Sequence, residues 1–214
     1  MKTVYFNAGS CLAVLVATIA LAVAPNCVRA GAGPALKVLS EVTLDIDQDG
    51  QMDRAVLVTS EATGSPGRDR SSMLGPDDRL DLYIYLGVGE AKLEPTRQPT
   101  FIAKDIVMTR RNNQIFPLET RNGALIVKTA NNLFGNWAPE TVTIVHRNGD
   151  FWVAGYALSY ELKSGARGEC DINFLTGKGI AAKGSAKPQR IREHFAPIRL
   201  SDWPKRRRPD ACEW

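Results

Sequence analysis

The sequence holds few of the residues from which catalytic sites are most often assembled. It has two histidines, His146 and His194, in unrelated contexts, and four cysteines with no Cys-x-x-Cys spacing. No Gly-x-Ser-x-Gly, His-Glu-x-x-His or phosphate-binding loop occurs, which removes the signatures of α/β-hydrolases, zincins and P-loop enzymes. Glu161, Glu169 and Asp171 offer a carboxylate pair in principle, but neighbouring carboxylates on strands usually sit exposed. No catalytic activity is expected. A predominant charge is missing too: 27 basic residues face 23 acidic ones. That balance gives no reason to expect a nucleic-acid partner.

The N-terminus carries the three parts of a secretory signal. Lys2 is the positive n-region, and Cys11 to Ala24 (CLAVLVATIALAVA) is an apolar stretch with Thr18 as its only polar residue. The stretch falls short of the ~20 residues that cross a bilayer comfortably. Pro25 and Asn26 break the helix, and Val28-Arg29-Ala30 presents small residues for cleavage after Ala30. Residues 1–30 are therefore expected to be a cleaved signal-peptide helix, and the protein to be periplasmic or secreted with no stable membrane span. An uncleaved anchor is the alternative. Lipidation at Cys27 is disfavoured by the Pro25-Asn26 pair before it. The mature chain of about 180 residues suits one domain with a proper core.

Cleavage leaves Cys170 and Cys212. An even pair in an oxidising compartment is expected to form a disulfide. Closing a ring of that size is worth about 4 kcal/mol in the loop-entropy model.

Strands and turns dominate from Leu36 onward. Leu80 to Val88 alternates as a half-buried strand should, and residues 61–79, with Gly, Pro, Ser and charge, form a surface loop. Arg121-Asn122-Gly123 and Arg147-Asn148-Gly149 each separate two β-type runs, a strong hairpin signal. A third hairpin joins Cys170–Phe174 to Lys178–Ala182 across Leu175-Thr176-Gly177. With no long 3.6-residue period and no internal repeat, the expected fold is all-β, an antiparallel sandwich or partly open barrel over residues 31–183. Trp137, Trp152, Tyr156 and Tyr160 fall in or near the sheet, most of them as core. Residues 184–214 are expected to be an irregular basic tail, ending in Lys205-Arg206-Arg207-Arg208. The disulfide would tether it, with Phe195, Ile198, Leu200 and Trp203 packing back on the sheet.

One constellation has a specific chemistry. Asp45-Ile46-Asp47-Gln48-Asp49-Gly50-Gln51-Met52-Asp53 sets aspartates at positions 1, 3, 5 and 9, a glycine at the sharp turn and a backbone carbonyl at position 7. Calcium takes six to eight oxygens, and this spacing turns carboxylates toward one point. Four aspartates so close repel one another unless a cation intervenes. The alternative is a solvated acidic turn, since Asp, Asn and Gly collect in turns. An EF-hand is excluded, because Val56 stands where the bidentate Glu belongs and a β run follows. Asp45, Asp47, Asp49, Gln51 and Asp53 are thus the expected Ca2+ ligands. Asp77, Asp78 and Asp81 form a weaker candidate that a turn and strand edge also explain.

The loop followed by Ala55-Val56-Leu57-Val58 resembles the calcium loop of FG-GAP/VCBS-type repeats. The stretch Arg147 to Tyr156, with Asn173 to Lys178 beyond it, is similar to a group of exported bacterial proteins of uncharacterised role that carry a single such loop. The likeness covers roughly residues 40–180 and implies calcium in the loop. It implies no propeller, since one repeat cannot build one and the usual Phe-Gly and Gly-Ala-Pro elements are missing. The expected function is an exported calcium-binding β module with a structural or binding role. The competing expectation is a cell-envelope interaction protein, such as an inhibitor or immunity-type partner of another exported protein.

Overall fold

The computed structural model describes residues 36–60, 73–74, 79–91, 93, 97–106, 113–133, 136–161, 165–184, 186–191, 195–203 and 209–212. The expected signal peptide, Asp77, Asp78, His194 and the basic run at 205–208 lie outside the described residues.

In chain order the strands are β1 (Leu36–Leu44), β2 (Asp53–Ser60), β3 (Met73–Leu74), β4 (Leu80–Tyr85), β5 (Phe101–Ala103), β6 (Asn113–Ile115), β7 (Glu119–Arg121), β8 (Ala124–Leu133), β9 (Asn136–Arg147), β10 (Asp150–Glu161), β11 (Arg167–Asn173), β12 (Lys178–Lys183), β13 (Gln189–Ile191) and β14 (Ile198–Arg199). A 3-10 turn, Asp210–Cys212, follows. The fold is all-β. Four strands form one sheet in the order β1-β2-β4-β5, and the second runs β13-β12-β11-β10-β9-β8-β6-β3, with β7 on β8 and β14 on β10. Every described pairing is antiparallel, and neither sheet closes into a barrel. The two sheets share one core: Leu57, Leu82 and Ile84 of the first belong to the same buried cluster as Leu125, Val127, Val142 and Ile144 of the second. That arrangement is a sandwich.

All three expected hairpins form. Asn122 and Gly123 have φ of 52° and 74°, and Asn148 and Gly149 have 53° and 75°, the left-handed pair that a two-residue hairpin turn requires. In the third, the Asn173 side-chain oxygen accepts the Thr176 N–H at 3.0 Å, and Gly177 supplies the positive φ.

Two local irregularities shape the second sheet. The β run before Asn122-Gly123 is split into β6 and β7, because Pro117 has no N–H for the ladder. On β10, Val153 pairs with Ile144 and Gly155 with Thr143, so Ala154 is an extra, bulged residue. Before it Phe151 and Val153 face the core; after it Tyr156 and Leu158 do. A strand with unbroken alternation would have turned the second pair outward.

The segments flanking the sheets are more regular than expected. Part of the predicted loop at 61–79 is strand β3, paired to β6. The tail, read as mostly irregular, adds β13 to the edge at β12 and lays β14 on β10 beside Trp152 and Val153, ahead of the point where β11 begins to pair. Ile198, Leu200 and Trp203 are buried, and Phe195 packs half-buried against the core. The Trp203 ring lies 5.6 Å from Tyr156 and 6.1 Å from Phe174, and its indole N–H donates to the Ile106 carbonyl at 3.1 Å. The disulfide Cys170–Cys212 is present and buried, fastening the 3-10 turn to β11. No helix among the described residues is long and apolar enough to cross a membrane.

Candidate metal centre

The β1–β2 connection is the aspartate loop, and its shape comes from its own side chains. Asp47 Oδ1 accepts the Asp49 N–H at 3.2 Å, Asp49 Oδ1 accepts the Gln51 N–H at 2.7 Å, and Asp45 Oδ2 accepts the Gly50 N–H at 3.1 Å. Each carboxylate thereby commits one oxygen to folding the turn. Gly50 at φ 88° and Gln48 at φ 62° supply the left-handed steps that wind the loop this tightly. One carboxylate oxygen from each of Asp45, Asp47 and Asp49 can be grouped so that all three lie within 4.8 Å of one another. The structure thus brings together three of the expected ligands into an acidic cluster able to hold a metal ion.

Asp53 is placed differently. It is fully buried, and its oxygens take the Ile46 N–H and the Gly87 N–H, both at 2.8 Å. The first bond closes the loop on itself; the second ties it to the turn after β4, which also donates the Gly89 N–H to the Met52 carbonyl at 2.6 Å. Asp53 therefore anchors the loop, with one further lone pair on each oxygen. Gln51 is exposed, and its side-chain amide approaches Asp49 at 3.5 Å.

The electrostatics of the cluster are those of crowded carboxylates. Partial desolvation pushes the Asp47 carboxyl above the ordinary carboxylate range, and the charges of Asp53 and Asp49 push it the same way. The bond from the Asp49 N–H and the nearby His146 offset part of this rise. Asp45 Oδ1 is buried and, among the described residues, has no hydrogen-bond partner. A buried carboxylate oxygen without a donor is costly unless a cation meets it.

Beside the loop is a cleft of about 400 Å3, lined by Ile46, Asp47, Gln48, Asn122, Gly123, Val145, His146, Arg147, Asn148 and Gly149. It lies where the aspartate loop meets the two Asn-Gly turns of the second sheet. His146 is half-buried here, its ring 4.9 Å from Phe151. In sequence the two turns read only as hairpins; nothing local says that sheet packing carries them to the loop. A further open cleft of about 480 Å3 lies on the second sheet and includes Glu161, Glu169, Arg167 and Tyr160. Asp171 is exposed on β11 outside it, and Asp81 Oδ1 accepts the Asp105 N–H at 2.9 Å.

Comparison with known protein families, with curated proteins and with solved structures finds no match to the chain. The likeness to FG-GAP/VCBS-type loops therefore stands on the Asp-x-Asp-x-Asp cluster alone.

Proposed function

We propose that the protein is an exported, calcium-binding β-sandwich with a structural or binding role rather than a catalytic one. The observation that carries the calcium assignment is Asp45 Oδ1, buried without a donor beside the clustered oxygens of Asp47 and Asp49. All the donors are hard oxygens, which suit calcium; magnesium demands a stricter octahedron and keeps its waters. Asp45, Asp47 and Asp49 would hold the ion, with the Gln51 carbonyl and Asp53 as further donors. Bound there, calcium supplies charge neutralisation and cross-links the β1–β2 loop. The lone pair of mature cysteines, joined as Cys170–Cys212, and the N-terminal signal pattern support export.

Thermal melting of the purified protein in calcium and in chelator tests the proposal. Affinity on the order of 0.1–1 mM, usual for extracellular modules, gives about 1.4–2.7 kcal/mol of stabilisation at about 10 mM calcium. For a domain of this size that is a rise of about 3–10 °C. Asp47→Ala and Asp49→Ala should remove the rise. Equal melting of the wild type with and without calcium would sink the proposal.

A further inference from the structure

The geometry points to the cleft between the aspartate loop and the two Asn-Gly turns as a binding site for a neutral, polyhydroxylated ligand, a saccharide. Its volume of about 400 Å3 is in the range of small-molecule sites. Among the residues that line it are one carboxylate, Asp47, one guanidinium, Arg147, and the imidazole of His146. Such a lining selects no ion of either sign. Three of the ten lining residues, Gln48, Asn122 and Asn148, carry side-chain amides. An amide both donates and accepts, as a sugar hydroxyl does, and a carboxylate and a guanidinium extend the same hydroxyl-binding set. Half-buried Val145 adds apolar surface for the C–H face of a sugar ring.

The residues that carry these amides share a backbone conformation. Gln48, Asn122 and Asn148 have φ of 62°, 52° and 53°, three of the four non-glycine residues with positive φ among those described. A Cβ built on Gly123 would stand 3.6 Å from the Gln48 side-chain nitrogen, so the Gln48 amide lies close to this turn. Left-handed positions accept glycine without strain, so each amide can be deleted with its turn intact. The site goes beyond the calcium proposal and does not require it. Asp47 and Gln48 belong to both loop and cleft, however, so an ion that fixes the loop also fixes one wall.

Saturation-transfer NMR and calorimetry with the full protein test this, using cellobiose, lactose, chitobiose and maltose as probes, and citrate as the anionic comparator. At least one disaccharide should bind with a millimolar dissociation constant while citrate does not. Asn122→Gly with Asn148→Gly should weaken it tenfold or more, with unchanged melting temperature and calcium response. Calcium should tighten the sugar. No saccharide binding by a protein that still responds to calcium would overturn the inference and leave the metal proposal standing. Sugar bound in chelator by a protein indifferent to calcium would do the reverse. Citrate binding alone, or sugar binding unaltered in the double variant, also overturns it.

Discussion

Replacing Asp53 separates its anchoring role from any part in holding a metal. Its carboxylate is fully buried and accepts two backbone N–H groups, from Ile46 seven residues before it and from Gly87 thirty-four residues beyond. In Asp53→Ala the Ile46 donor is left buried and unpaired. A hydrogen bond to a charged acceptor contributes about 1.5–3 kcal/mol, and an orphaned buried donor costs a similar amount. The Gly87 N–H is only partly buried, so water replaces much of what it loses. The sum is about 3–6 kcal/mol. Asp53→Asn keeps one acceptor but turns an NH2 toward the other donor, for a loss of about 2 kcal/mol. Urea unfolding in excess chelator, with the m-value monitored, measures both. The essential point is that the losses appear without metal. A penalty below about 1 kcal/mol for Asp53→Ala in chelator would refute the anchoring role and return Asp53 to the ligand set alone.

Three further outcomes follow from the same geometry. Asp47 has a raised pKa in the metal-free loop, so its ionised form weakens the fold at neutral pH. The stabilising, protonated form is fully populated below the ordinary carboxylate pKa and lost as pH rises through the raised value. Asp47→Asn in chelator should therefore melt higher than wild type at pH 7, with the gap closing on acidification; a gap that widens contradicts this. Trp203→Ala should cost about 3–5 kcal/mol by urea unfolding, since a buried aromatic plug is lost, and Trp203→Phe about 1–2 kcal/mol for the Ile106 bond alone. Reduction, or Cys170→Ala with Cys212→Ala, should cost about 4 kcal/mol, and an unchanged urea midpoint would show the bridge to be idle.

The parts of this fold legible in sequence are those set by short-range chemistry. Asn122-Gly123 and Asn148-Gly149 announce their hairpins because only such pairs take two left-handed residues in succession. The aspartate loop is equally local, each of its turn bonds spanning two to five residues. Asp53 shows where locality ends: its spacing fits the metal motif, but its depth depends on the turn at Gly87, which the motif does not contain. The Ala154 bulge is invisible for a similar reason, since Phe151 to Leu158 reads as plausibly in either phase until β9 is aligned with it. β13 and β14 are too short to show a period, and their partners β12 and β10 decide that they are strands.

Counting calcium on the protein by equilibrium dialysis tests the central claim most directly. Wild type dialysed against about 5 mM calcium, well above the affinity usual for such modules, should retain close to one ion per chain. The variant with Asp45→Asn, Asp47→Asn and Asp49→Asn together should retain none while keeping its β-sheet circular dichroism. A wild type that holds no calcium, or a triple variant that holds as much, would contradict the account.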